Sequence, residues 1–282
     1  MTDAPNRDAR RDRARGCLLA LAAGDALGRP VTGETAAAVR DRHGRVTDLL
    51  GGDRPAGTTT APTAAAVAAA RRLVGDMDGA IGRGQDRDRT DPDDPGARLA
   101  AAAPFGLPEA DAGRRAAVVA ERAATTLDGD ADAVVSETCA ALAVLVGGLC
   151  AGEPMADALD TTRRVAVDRG APVGLRETLS VVGDHAAVTL DTRGGVAATF
   201  ETALHEAVVA DGPEEAVVSA ASRGGRASAL GAVAGAVAGA RAGEDGVPAR
   251  WLNDLDGVAD LRALADALAD ATLDGTNGTF GP

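Results

Sequence analysis

The sequence predicts an all-α fold: a compact single domain of many helices spanning residues 1–282. Three observations carry this. Apolar residues recur at helical spacing along nearly the whole chain. Runs that alternate Val, Ile or Thr with polar residues between turn signals, the mark of strands, are almost absent. The apolar 45% is built mainly from Ala, Val and Leu, with three Phe, one Trp and no Tyr. Such small side chains predict helices whose backbones approach closely.

The first helix is predicted over Arg10–Leu27, stopped by Gly28-Arg29-Pro30. A short one over Thr35–Arg42 ends at Gly44, and an Ala-rich one runs over Thr63–Val74 with Pro62 at its start, where a missing N–H costs little. The segment 82–96, GRGQDRDRTDPDDPG, has no apolar residue and reads as an exposed loop inserted between helices. Further helices are predicted at Ala97–Ala103, Ala110–Thr126, Ala131–Leu149, Met155–Asp168, Val173–Ala187 and Val196–Ala210. Pro213–Ser222, with Glu214 and Glu215 suiting the helix dipole, Ala227–Ala242 and Pro248–Thr272 complete the set. The Gly-rich tail, residues 273–282, reads as loose.

Charge narrows the partners. The net charge is −13 and all 29 basic residues are Arg, since the chain contains no Lys. A negative surface repels nucleic acid and anionic membranes, so neither is expected as a partner. The composition fits codon bias in a GC-rich genome or a salt-adapted, carboxylate-coated surface. Charged residues from Asp3 to Arg15 without an apolar run before them predict no signal peptide, and broken apolar stretches predict no membrane span. A cytoplasmic protein is expected. Cys17 and Cys150 lie in apolar runs and read as small core residues, and no Cys/His spacing suggests zinc.

No GxGxxG or GxxxxGK[ST] motif occurs between a strand and a helix, which excludes dinucleotide and P-loop folds. The five Asp of residues 86–94 lack the alternating ligands of a calcium loop and include two Arg, so they read as solvated. His43, His185 and His205 form no ligand-spaced pair; Asp184-His185 and Glu201 with His205 read as solvent-side contacts.

Four segments, in order, resemble the ADP-ribosylglycohydrolase family. Gly16–Gly28, ending Gly24-Asp25-Ala26-Leu27-Gly28, is similar to its opening helix and GDALG turn. Ala102–Leu107 is similar to its APLGL segment. Gly224-Gly225 followed by Gly231–Ala240 is similar to its late GG and AAIAGALAGA helix, and Val247–Leu252 to its IPxxWL segment with the one Trp in place. The resemblance covers roughly Ala14–Gly257. It implies an all-α fold, two bound magnesium ions, and cleavage of the glycosidic bond joining ADP-ribose to a protein side chain or small molecule.

The chain departs from that pattern where the family holds metal. The family's W-T-D-D-T aligns with Thr59-Thr60-Ala61-Pro62-Thr63, and its D-T-D-T after Gly-Gly with Arg226-Ala227-Ser228-Ala229. The Glu after GDALG aligns with about Thr32, with Glu34 two positions on, and the middle Thr-His-Pro with about Leu127-Asp128-Gly129. Magnesium needs hard oxygen ligands, largely carboxylates, to balance its charge. The expectation is therefore no metal, no catalytic residues, and a degenerate family member. Its ligand, an ADP-ribose-type molecule or a protein partner, would meet Asp25, Thr59, Thr60, Thr63, Gly224, Gly225, Arg226 and Ser228 in a cleft between Thr60 and Arg226. Competing readings are a working hydrolase using Asp25, Glu34 and Asp128, and a scaffold that keeps only the fold. Within the set, Asp25 either lines the cleft or bonds backbone N–H groups at Gly28. The Thr residues before Pro62 either contact ligand or cap the next helix. Arg226 either presents its guanidinium to a phosphate or carboxylate or has drifted.

Overall fold

Glycine spacing sets the central packing of the computed structural model, which describes residues 4–78, 94–126, 132–183 and 191–273. The stretch 82–93, Leu127-Asp128-Gly129, Asp184-His185 and the tail from Gly275 lie outside these residues. Helix α1 (Ala4–Gly28) runs antiparallel to α11 (Ala227–Ala242). Gly16, Ala20, Gly24 and Gly28 of one meet Gly239, Gly235, Gly231 and Ala227 of the other, every fourth residue. A Cβ added at Gly24 would lie 2.0 Å from the Gly231 carbonyl, and one at Gly235 would lie 2.1 Å from that of Ala20. The close helices expected from the small-residue composition are this pair. Residues 227–240 of α11 are all buried, as a helix apolar on every side must be.

The other deep helix is α6 (Ala133–Cys150). By length and composition it is apolar enough to cross a membrane, but 78% of it is buried among other helices. Around these two lie α2 (Ala36–His43), α3 (Ala61–Asp78), α4 (Pro95–Ala102), α5 (Ala112–Thr126), α7 (Met155–Asp168) and α8 (Val173–Gly183). They are joined by α9 (Val196–Val209), α10 (Pro213–Ser222), α12 (Ala249–Asp254) and α13 (Val258–Ala269). Among the described residues there is no strand, only isolated bridges at Thr35–Gly224 and Glu109–Thr272. The expected all-α fold is the observed one.

Several helix boundaries differ from expectation by a few residues, and three of the differences have a clear physical reason. Helix α1 begins at Ala4, because its polar first turns are held by charge and hydrogen bonding rather than by an apolar stripe. Arg11 and Arg15 grip Asp270 and Asp266 at 2.5–2.9 Å, each with two nitrogens, and Arg10 donates to the carbonyls of Leu107 and Pro108. Helix α4 begins at Pro95, with Asp94 accepting from Gly96 N–H at 3.0 Å, so the end of the acidic stretch is a helix start. The single helix predicted over Pro248–Thr272 is two, broken at Leu255–Gly257. There Gly257 takes φ +78° and Asp256 N–H bonds the Gly57 carbonyl.

The largest core side chain, Trp251, donates its indole N–H to the Thr47 carbonyl at 2.9 Å, so its buried polar atom is satisfied. Cys17, Cys139 and Cys150 are free and buried, as small core residues should be. Burial pushes the Cys139 and Cys150 thiols up to about 12.

Candidate functional site

The helix α3 begins with backbone N–H groups that have no partner within the helix. Residues 58–60 are all Thr, which suggests a local hydroxyl cap, but the acceptor comes from α1. Asp25 is wholly buried. Its Oδ2 accepts from Thr60 N–H (2.7 Å), Thr63 N–H (3.2 Å) and the Thr63 hydroxyl (2.7 Å), and its Oδ1 from the Thr60 hydroxyl (2.5 Å). Both oxygens are thereby occupied by four donors, and a carboxylate sits at the positive end of the α3 dipole. Burial raises the Asp25 pKa, and the four hydrogen bonds pull it back toward the usual carboxylate range. Of the two alternatives for Asp25, the backbone-bonding one is observed, but its partners are not at Gly28; they are Thr60 and Thr63, 35 and 38 residues away. Thr60 does end the loop before α3, but its hydroxyl donates rather than accepts. A residue with no exposed surface cannot line a cleft, so Asp25 holds the site from behind.

The start of α11 is handled the same way. Ser228 N–H donates to the Thr32 hydroxyl at 3.0 Å, and Ser228 Oγ donates to the main-chain carbonyl of Asp25 at 3.3 Å. Thr32 Oγ1 lies 3.1 Å from the Gly28 carbonyl and 3.2 Å from Ser228 Oγ. Thr32 and Ser228, which the resemblance sets at or near carboxylate positions, are thus neutral hydroxyls bonded to each other. The Gly-Gly before α11 staples the loop after α1. Gly225 N–H donates to the Glu34 carbonyl and Gly33 N–H to that of Gly225, both at 2.7 Å. Gly224 and Gly225 hold φ +68° and +60°, and a Cβ on either would lie within 2.5 Å of a carbonyl oxygen, so only glycine serves.

Arg226 caps α11 with its backbone, and its side chain turns to neighbouring segments. Nε donates to the Gly194 carbonyl at 2.9 Å and Nη1 lies 3.7 Å from Asp94 Oδ1. Thr59 and Thr60 are half-buried, as is Arg226, whereas Thr63, Gly224, Gly225 and Ser228 are buried. The structure therefore joins Asp25, Thr60, Thr63 and Ser228 in one hydrogen-bonded knot, places Gly224 and Gly225 beside it, and ties Arg226 toward α4 and residues 192–194. Thr59 has no side-chain bond within it.

Magnesium does not fit these residues. Asp25 is wholly buried and already accepts four hydrogen bonds, Ala61 and Pro62 offer no side-chain ligand, and Thr32 and Ser228 bond each other. Among the described residues no group of three or more His, Cys, Asp or Glu converges as a metal cluster would. Glu34 pairs with Arg42, and its Oε2 is buried without a partner. Asp128 lies outside the described residues. Sequence reasoning missed Thr32 as a partner of Ser228 and Asp94 as a helix cap. The Asp94-Pro95 step, a capping residue before Pro at the first helical position, was the available signal for the latter.

Comparison with known proteins bears on the family and the fold. The sequence profile described as ADP-ribosylglycohydrolase matches residues 6–103 and 82–277. A solved structure described as an ADP-ribosylglycohydrolase-related protein complex superposes with a TM-score of 0.74 at 25% identity, covering 93% of this chain and 98% of that one. No curated protein matches the sequence.

Proposed function

The chain belongs to the ADP-ribosylglycohydrolase family, and from that premise we propose that it is a non-hydrolytic member whose metal-binding end has become a metal-free structural knot. The observation that carries the reading is the fate of the motif residues. The two Thr retained from the first metal motif are the two that Asp25 holds. The two positions that lost carboxylates, Ala61 and Pro62, have no side-chain partner in the knot. At the second motif, Ser228 bonds Thr32 where two carboxylates would repel each other without a cation between them. The framework is kept and the ligands are stripped from it.

Without metal there is no Lewis acid and no lowering of a water pKa at this place, so the family's hydrolytic route has no driver here. The ligand class this reading assigns is the ADP-ribose type, bound without metal at the half-buried Thr59, Thr60 and Arg226. The test is a pair of assays on the whole chain. Incubation with an ADP-ribosylated protein and millimolar Mg²⁺ is expected to release no ADP-ribose; release would end the non-hydrolytic reading. Calorimetric titration with ADP-ribose, with and without Mg²⁺, is expected to show binding that metal does not change. Absence of heat at millimolar ligand would remove the ligand assignment and leave a scaffold.

A further inference from the structure

We propose that the Arg226 guanidinium is a resident cation that joins the starts of α4 and α11 to the segment 192–194, and that a free guanidinium ion can take its place when the side chain is removed. This rests on the metal-free reading above. Helix physics disfavours a cation here. The N-terminus of α11 is the positive end of its dipole, and Asp94, the nearest charged group, caps the positive end of α4. A positive side chain at such a place needs oxygen around it. The chain supplies it from two other segments: the Gly194 carbonyl at 2.9 Å from Nε and the Asp94 carboxylate at 3.7 Å from Nη1. The backbone N–H of the same residue donates to the Thr192 carbonyl at 2.8 Å. That approach requires the bare Gly225 next to it, where a Cβ would lie 2.3 Å from Thr192 O. Arg226 thus joins the starts of α4 and α11 to the segment 192–194, three pieces of chain that are far apart in sequence. One carbonyl and one carboxylate on different nitrogens of a planar fork suit a guanidinium, which spreads its charge over several donors.

The test removes the side chain and offers a substitute. Arg226→Ala is expected to lower the thermal midpoint by several degrees. Millimolar guanidinium chloride is expected to restore at least half of the loss, while NaCl of equal ionic strength does not. The wild-type midpoint is expected to ignore both. An unchanged midpoint in the variant overturns the proposal, and so does a loss that guanidinium does not restore, since that would assign the effect to the stem. Asp94→Asn keeps a capping acceptor and removes the charge. It is expected to lower the midpoint in the wild-type background and to have a smaller effect beside Arg226→Ala, where only its interaction with the α4 dipole is lost; an equal loss in both backgrounds contradicts the proposal, and so does an unchanged midpoint in Asp94→Asn alone, which decides the matter even where Arg226→Ala folds poorly. Hydrolysis by the wild type would end the non-hydrolytic reading in a separate assay, so the two failures are distinguishable.

Discussion

Asp25 is the residue whose replacement distinguishes a structural knot from a ligand-lined cleft. In Asp25→Ala the N–H groups of Thr60 and Thr63 lose their acceptor, as do both hydroxyls. The hydroxyls can rotate toward other carbonyls, but the two N–H groups are fixed by the first turn of α3. A buried, unsatisfied donor costs about 1–3 kcal/mol, so the variant should lose about 3–5 kcal/mol of unfolding free energy. Asp25→Asn should behave differently. Its amide oxygen can take the place of Oδ2 and serve three donors, and its NH₂ can donate to a reoriented Thr60 hydroxyl. It also removes a buried charge, so the net change is expected to be about 1 kcal/mol or less. The pH dependence follows from the raised pKa of Asp25. With the folded value above the unfolded one, the stability linked to its proton is fully present below the ordinary Asp range. It is lost as pH rises through the raised value. Wild type should therefore gain on Asp25→Asn as pH falls through that window, and the difference should be flat above it. Urea unfolding of the three proteins across acidic to neutral pH makes the comparison. An Asp25→Ala variant within about 1 kcal/mol of wild type would refute the reasoning, because four hydrogen bonds to a buried carboxylate could not be lost so cheaply.

Other parts of the fold yield predictions of the same kind. Gly235→Ala places a methyl 2.1 Å from the Ala20 carbonyl, far inside the roughly 3.5 Å of a carbon contact, so α1 and α11 must separate. The helix propensity gain of about 1 kcal/mol should not offset overpacking, and a net loss of about 2 kcal/mol in urea unfolding is expected; equal stability would contradict the close-packed pair. Arg115 is buried with one hydrogen bond, to the Pro108 carbonyl that Arg10 also serves, and an unpartnered Nε. Burial, with repulsion from Arg10, lowers its pKa to about 10. Arg115→Met should be at least as stable as wild type at neutral pH, and a clear drop in thermal midpoint would show that the charge matters. At the α1–α13 contact, Arg11 lowers the Asp270 pKa. That pair's contribution is present above the ordinary Asp range and fades as pH falls through the depressed value. The midpoint difference between wild type and Asp270→Asn should therefore vanish at low pH, and one that persists there would contradict the pairing.

Much of this architecture was legible because its cause is local. The composition, poor in aromatics and rich in Ala, Val and Leu, announces close helix packing in the sequence itself, and Pro213-Glu214-Glu215 announces a helix start. Where the cause is distant, reading failed. Nothing near Thr58-Thr59-Thr60 reveals that α3 is capped from α1, because the acceptor lies 35 residues earlier. Arg226 was legible as an odd cation, but its oxygens come from Asp94 and Gly194, one of them in a stretch that reads as loop. The break at Gly257 hides inside an apolar pattern that continues on both sides, and the Asp256 bond that fixes it goes to Gly57. That Ala61, Pro62, Arg226 and Ser228 are not carboxylates is plain in the sequence; the hydroxyl contact between Thr32 and Ser228, 196 residues apart, is not.

The most direct measurement is the thermal midpoint of the wild-type chain titrated with Mg²⁺ after exhaustive chelation. A knot closed by Asp25, Thr32, Thr60, Thr63 and Ser228 predicts no shift from the chelated protein up to millimolar Mg²⁺. An ion bound at a hundred times its Kd would add about 2.7 kcal/mol of stability, and a saturable upward shift of that order would contradict the account.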